Sequence, residues 1–362
     1  MNVGNTGTTD SPTTNFDSLD KAFVLFKSNR FSSAGPSTPS GTNRLVDDVS
    51  MAVRLTATDT IAIDRLSGGD NQNYRCEWES WEYTGGAGGA NEFKVIGRAS
   101  VTLTAGTRNT TVSWTGSNAS NADDCIPFIT GITNTQATTD SNGLTAYAKL
   151  TSTSQVFVER GGSLGTTVVE ITIVEFTGSN WTVGHSFVSQ TTSDSGTATL
   201  YSNKDGVTTT LTLTSIDNAF LASVGSRGDT NDADEALADN WPNAYLSSTT
   251  QISWAFDANH AVTNGNAHFF HVLYNADIDV TRYTDTQSLG GDMNVNITTA
   301  GLTDLSKSAI FGTRITSGTG TAFPRGTMTY KLDTTTQAVL WCTRSGNTIS
   351  SRIEIIDLSG LS

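Results

Sequence analysis

The chain has 362 residues, 36% of them hydrophobic, with 35 acidic against 21 basic side chains and a net charge of −14. Such an acid excess repels a phosphate backbone at long range, so nucleic acid is not an expected partner. No run of 18 or more apolar residues occurs, which removes a membrane-spanning helix and membrane insertion from the expectations.

Residues 1–17, MNVGNTGTTDSPTTNFD, are polar and aperiodic, with neither the basic start nor the apolar stretch of a secretory signal. A protein made and left in a cytoplasm is therefore expected. A tail of this composition does not fold alone. It is expected to be held down by a neighbouring subunit, or to supply opening strands that the first folded unit otherwise lacks.

From residue 18 onward the chain repeats itself. LTATDTIAIDR from Leu55 returns as LTSTSQVFVER from Leu150, LSSTTQISWAF from Leu246 and LDTTTQAVLWC from Leu332, with the leucines 95, 96 and 86 residues apart. Each copy ends at Tyr83, Phe176, Tyr274 or Leu358, which lie 28, 26, 28 and 26 residues beyond their leucines. Just before these ends, Trp78-Ser80-Trp81-Tyr83 matches Ile171-Ile173-Val174-Phe176, Phe269-His271-Val272-Tyr274 and Ile353-Ile355-Ile356-Leu358. Alternation there slips by one residue and resumes, as in a strand with a β-bulge near its end. Upstream of the leucines, short apolar strands start at Leu19-Asp20-Lys21-Ala22-Phe23, Asp123-Asp124-Cys125-Ile126, Ile216-Asp217-Asn218-Ala219-Phe220 and Ser306-Lys307-Ser308-Ala309-Ile310. The intervening loops differ in length and content, as in SSAGPSTPSGTNR and SRGDTNDADEALADNWPN, and loops that vary on a constant frame are where specificity sits.

Period-two segments such as SVTLTA, TATLYS and MNVNITTA stand between the copies, and each belongs to the unit that follows it. Units are thus expected at 18–90, 91–179, 180–277 and 278–362, after a tail at 1–17. Threonine and valine suit a pleated, half-buried surface, and turn residues recur every 8 to 12 positions. The fold class is all-β: four tandem antiparallel β-sandwich units, immunoglobulin-like or jelly-roll-like, with about seven strands each. A parallel β-helix would need a rung period that is not found, and two larger jelly rolls of two copies each are the remaining competitor. Strung end to end, the four units would reach roughly 130 Å.

Chemistry-bearing residues are sparse. Cys76, Cys125 and Cys342 fall one to a copy and read as reduced structural thiols. Of the histidines at 185, 260, 268 and 271, the pair His268 and His271 has metal-like spacing, but on a strand the two point to opposite faces, one inward and one to solvent. Asp229, Asp232, Asp234 and Glu235 could offer oxygens to Ca²⁺, yet the spacing fails the EF-hand pattern, and a solvated loop is expected. Arg227-Gly228-Asp229 is a chance tripeptide. In the aromatic run Tyr74, Trp78, Trp81 and Tyr83, the last three align with apolar positions of the other copies and the run reads as core, whereas Trp181, Trp241 and Trp254 are candidates for surface contact. Glu77 and Glu79 share one face of a strand in what reads as a solvent-facing acidic row. No nucleophile elbow, phosphate loop, dinucleotide fingerprint or zinc spacing occurs, so no catalytic, cofactor-binding or metal residues are assigned, and no cofactor is expected.

In its repeat, its Thr/Asn/Gly/Asp bias and phrases such as VEFTGSNWTV and WEYTGG, the chain resembles structural proteins of tailed-bacteriophage virions, of the tail, fibre and head-decoration kind with repeated β-sandwich units. The resemblance implies a non-enzymatic, homo-oligomeric virion component whose partners are itself, other virion proteins and, through variable loops, a host surface glycan or receptor. The alternatives are a bacterial surface adhesin or carbohydrate-binding array, which needs export, and a glycan depolymerase, which needs two placed carboxylates.

Overall fold

Short threonine- and valine-rich segments bounded by Gly, Asn and Asp become β-strands throughout this chain. The computed structural model describes residues 2–3, 9–10, 15–31, 51–65, 74–135, 141–190, 195–228, 242–256, 266–287, 292–296, 301–317, 328–342 and 348–361. The helical pieces among them are short 3-10 turns, such as Ala122–Asp124 and Leu305–Lys307.

One connection pattern is used four times. The first set is β1 (Asn2–Val3), β2 (Thr9–Asp10), β3 (Ala22–Phe31), β4 (Met51–Ala57), β5 (Thr60–Arg65) and β6 (Tyr74–Glu82). The second is β7 (Lys94–Leu103), β8 (Asn109–Ser113), the short β9 (Thr115–Gly116), β10 (Cys125–Asn134), β11 (Ala146–Leu150), β12 (Gln155–Arg160) and β13 (Thr167–Glu175). The third is β14 (Trp181–Gln190), β15 (Ser195–Thr199), β16 (Ala219–Arg227), β17 (Asn243–Ser248), β18 (Gln251–Ala255) and β19 (Asn266–Asn275). The fourth is β20 (Asp279–Gln287), β21 (Asp292–Asn296), β22 (Ser308–Ser317), β23 (Met328–Thr334), β24 (Gln337–Cys342) and β25 (Thr348–Asp357). In every set the last strand pairs with both the first and the third, giving an inner sheet of order β1-β6-β3, β7-β13-β10, β14-β19-β16 or β20-β25-β22. The remaining three long strands form an outer sheet, β2-β5-β4, β8-β12-β11, β15-β18-β17 or β21-β24-β23.

Each set thus has six main strands where seven were expected. Strands adjacent in sequence change sheets except at the one hairpin, and the first strand lies beside the last, which is jelly-roll-like rather than immunoglobulin-like connection. Among the described residues no sheet is shared between two copies in the manner of a double-size jelly roll, with one exception at an edge. There β4 adds to β10 through Ala52 opposite Gly131 and Met51 opposite Ile132, so an outer and an inner sheet run on as seven strands. Among the described residues the N-terminal segment pairs with its own chain: Asn2 and Val3 with Arg75 and Tyr74, and Thr9 and Asp10 with Asp64 and Ile63. Those are the places that opening strands occupy in the other sets.

Each set fills the space between its two sheets. In the second, Val101, Leu103, Ile171 and Ile173 meet Ala148, Leu150, Val156 and Val158. The outer faces of the four inner sheets are not left to solvent. Phe23, Leu25 and Trp81, Ile126, Phe128 and Val174, Phe220, Ala222 and Leu273, and Ala309, Phe311 and Ile356 form one further cluster to which all four sets contribute. Around it the hairpin strand of each set lies on the third strand of the next: β4 on β10, β11 on β16, β17 on β22 and β23 back on β3. The four units therefore close into a ring, and the end-to-end arrangement of roughly 130 Å is replaced by one in which the copies bury one another.

This shared core explains the slip in alternation along the final strands. Ile171 and Ile173 face their own unit, whereas Val174 and Phe176 face the common axis, so both sides of one strand are apolar near its end. The expected bulge lies in neighbouring strands instead, where pairing against β6, β13 and β19 skips a residue between Phe26 and Ser28, Ile129 and Gly131, and Leu221 and Ser223.

Candidate functional site

The residues with chemical capacity gather where one unit meets the next. Across the axis, Trp81 of the first unit lies 6.0 Å from Phe220 of the third and 6.3 Å from Phe311 of the fourth, with Phe220 and Phe311 5.0 Å apart. Phe23 stacks on Phe128 at 5.2 Å, joining the first and second units. Tilted and edge-on rings at such spacings suit the aromatic quadrupole, and here they fill the axis with side chains.

Around that plug, an opening strand reaches back to the turn before the third strand of the preceding unit. Val95 N–H donates to Asp20 O at 2.7 Å and Val280 N–H to Asp217 O at 2.8 Å. Arg98 then donates to the carbonyls of Leu19 and Ala22, and Arg282 to those of Ile216 and Ala219. At the seam between the second and third units the same position is His185, whose Nε2 is 2.8 Å from Asp123 O. A neutral imidazole protonated at Nε2 satisfies that contact.

The final strands supply a second polar row. Glu354 Oε2 accepts from Leu221 N at 2.7 Å, and its Oε1 from Arg282 Nε at 2.9 Å. Burial raises the Glu354 pKa while Arg282 and the Leu221 amide oppose that rise. Glu79 stands at the matching place in the first unit and accepts from Ile310 N, the counterpart of Leu221, so the closing seam repeats its neighbour. His271 takes this position in the third unit, directly opposite His185, with ring centroids 5.2 Å apart and nearly perpendicular. Burial holds the His185 pKa down at about 4, and burial together with His185 holds that of His271 well below its ordinary range. Small residues let the strands approach: a Cβ on Gly131 would stand 2.2 Å from Ala52 Cα, and one on Gly225 2.6 Å from Tyr147 Cβ. At the equivalent point of the next seam Thr313 Oγ1 bridges the Ala244 amide and carbonyl at 3.0 and 2.8 Å.

At one end of the ring the turns between units meet. Asn91 Oδ1 accepts from Asn180 Nδ2 at 3.1 Å and Asn275 Nδ2 at 3.0 Å, and Asn180 Nδ2 also reaches Asp277 Oδ2. The opposite end is described most fully in the second unit. There the wholly buried Arg160 donates to carbonyls of Thr104, Thr107, Ser163 and Gly165, and Asn134 ties Gly143 to Thr167.

Several expectations change on this frame. Trp181 and Trp254 are buried, not surface contacts: Trp181 Nε1 donates to Asn91 O, and Trp254 lies in its unit's core beside Phe256. His268 and His271 do face opposite ways, but both sides of that sheet are covered, so neither meets solvent; His268 Nδ1 lies 2.9 Å from Ser226 Oγ. Glu77 and Glu79 are half-buried at a seam rather than in an open acidic row. Trp81 is core, Trp78 packs against the first unit's core, and Tyr83 packs on the shared one. Arg227 is bonded to Glu159 of the preceding unit at 2.7 Å. Cys125 is buried, and burial beside Glu175 pushes its thiol far up. The side chains of Tyr74, Cys76 and Cys342, together with Asp229 to Glu235, Trp241 and His260, lie outside the described residues. Among the described residues no three His, Cys, Asp or Glu side chains converge as metal ligands.

The seams escaped sequence reading because their partners are far apart in the chain; the one local signal was a polar residue, Glu79, His271 or Glu354, recurring in an apolar strand. No protein-family model, curated protein or solved structure matches this chain.

Proposed function

We propose that this chain is a non-enzymatic structural subunit of a bacteriophage virion, on the tail, a fibre or the head surface, that assembles with itself and with other virion proteins. The observation that carries the reading is where the ionisable side chains go. His185, Arg282, Glu354 and Arg98 all bond across unit boundaries, in the role of joints rather than of a reaction centre. A filled axis favours a place on the particle exterior over a tube through which a genome passes. The variable loops that follow the third strand of each unit in the sequence are where a host glycan or receptor would be met.

Mass spectrometry of purified particles tests this directly. The chain should be present at a fixed copy number per particle, and immunogold labelling should decorate intact virions. A chain found only in infected-cell lysate, never in washed particles, would overturn the proposal.

A further inference from the structure

The seam between the second and third units is built unlike its neighbours. At two other seams a carboxylate accepts from a main-chain amide, Glu354 from Leu221 N and Glu79 from Ile310 N. The second unit has Pro127 at that place, opposite Ile173 as Leu221 is opposite Val272 and Ile310 opposite Ile355, and proline carries no N–H. The carboxylate's own position is taken by His271, and the position of Arg98 and Arg282 by His185. Where neighbouring seams hold a fixed charge, this one holds two groups that are neutral or cationic according to pH.

A strap from the third unit lies over the pair. The connection from the second main strand to the third runs over 200–218 in this unit, against 11–21, 114–124 and 297–307 in the others. Its Tyr201 exchanges two main-chain hydrogen bonds with His185, both at 2.8 Å, and Gly206 O accepts from Phe187 N at 3.0 Å. Lys204 N then donates to Asp123 Oδ1 at 2.8 Å, while His185 Nε2 meets Asp123 O at 2.8 Å. One residue of the second unit is thus held twice by the third.

A carbonyl only accepts, so His185 Nε2 carries the proton in that contact and Nδ1 is bare when the ring is neutral. Neither Nδ1 of the pair has a hydrogen-bond partner among the described residues. A proton added there makes a buried cation without an acceptor, with a second imidazole 5.2 Å away between ring centroids. The charged groups around the pair are Asp123 and Asp124 on the turn, Glu175 near that turn, and Lys204 and Asp205 on the strap. Lys149, Glu159 and Arg227 lie further along the same seam. Asp123 and Asp205 favour a cation at His185 and Lys204 opposes it, but burial outweighs them and holds the His185 pKa at about 4.

We propose that this histidine pair and its strap form an acid-released latch, in which protonation frees His185–Phe187 and Tyr201–Gly206 from the Asp123 turn and loosens this seam alone. Released imidazoles regain solvent and their ordinary basicity. The loosened form therefore binds more protons below pH ~6.5 and gains population as pH falls toward 4. The seam between the third and fourth units responds in the opposite sense, since burial raises the Glu354 pKa and the shut form holds that proton more firmly.

Hydrogen exchange of the full chain at pH 7 and 4.5, each corrected to unfolded-chain rates, tests the latch. At the lower pH, protection at 183–188 and 201–206 should fall about tenfold or more, while 95–98, 219–222 and 280–284 keep theirs. The imidazole C2 proton resonances of His185 and His271 should titrate with the midpoint of that fall. His185→Gln keeps a donor for Asp123 O and takes up no proton, so its protection should not change between the two pH values. Unchanged protection in the wild-type chain overturns the proposal, as does equal loosening of all four seams or a midpoint that follows neither imidazole. An undiminished acid response in folded His185→Gln overturns it too. Should that variant not fold, the wild-type chain decides, through where protection is lost and at what midpoint.

Discussion

The turn end and the loop end of the ring are held together in different ways. At the turn end, apolar side chains from four units share one core and the amides of Asn91, Asn180 and Asn275 knit the chain segments between units. At the loop end of the second unit, one buried guanidinium collects carbonyls from within that unit alone. The contrast teaches that the shared core joins all four units at once, whereas the Arg160 network shapes a single unit, with pairs such as Arg227 and Glu159 tying only neighbouring units together. Damage at the first end should therefore be felt by the whole ring, and damage at the second by one unit.

Trp81→Ala gives the largest expected effect, about 3–5 kcal/mol lost in urea unfolding, because it leaves a cavity between three units. Intrinsic-fluorescence and hydrogen-exchange probes in all units should shift together; a loss confined to the first unit would break the comparison. Glu354→Ala removes one partner of a buried pair and leaves Arg282 without that carboxylate and the Leu221 amide without its acceptor, at a cost of about 3 kcal/mol by the same measurement.

Acid should act on the seam between the second and third units. The His185 pKa, held at about 4, lies below its ordinary value near 6.5, so the unfolded chain binds more protons between those limits. The stability it contributes is complete above pH ~6.5 and is lost as pH falls toward 4, by about 3 kcal/mol. Paired denaturation series at pH 7 and 4.5 check this, and His185→Gln should flatten the difference. Arg160→Met should cost about 2 kcal/mol by leaving carbonyls unbonded, with faster amide exchange limited to 104–107 and 163–167. Smallest is Asn91→Ala, about 1 kcal/mol, read as a shift in the urea midpoint.

Sequence alone made the repeat and the all-β class legible, because period-two alternation and turn residues are local signals. Leucines such as Leu150 and Leu246, which mark each copy, do sit in unit cores. What stayed hidden was the second apolar face. Val174, Leu273 and Ile356 look like a slip in register until the units are set around a common axis, and nothing within one copy says that its outer face is covered. The same blindness put Trp181 and one of the pair His268 and His271 at the surface, since an aromatic or imidazole is amphipathic and only its neighbours decide where it lies.

Joining four units in one polypeptide also changes the mass action of ring closure. Separate subunits held by these seams would come apart on dilution, whereas here each junction forms within a molecule, at the effective concentration that short connections such as Phe176 to Trp181 impose, of the order of millimolar. Ring closure is thereby independent of how much protein is present. Each unit is also free to differ from its neighbours without losing its place, as Trp81, Val174, Leu273 and Ile356 already do at one equivalent site.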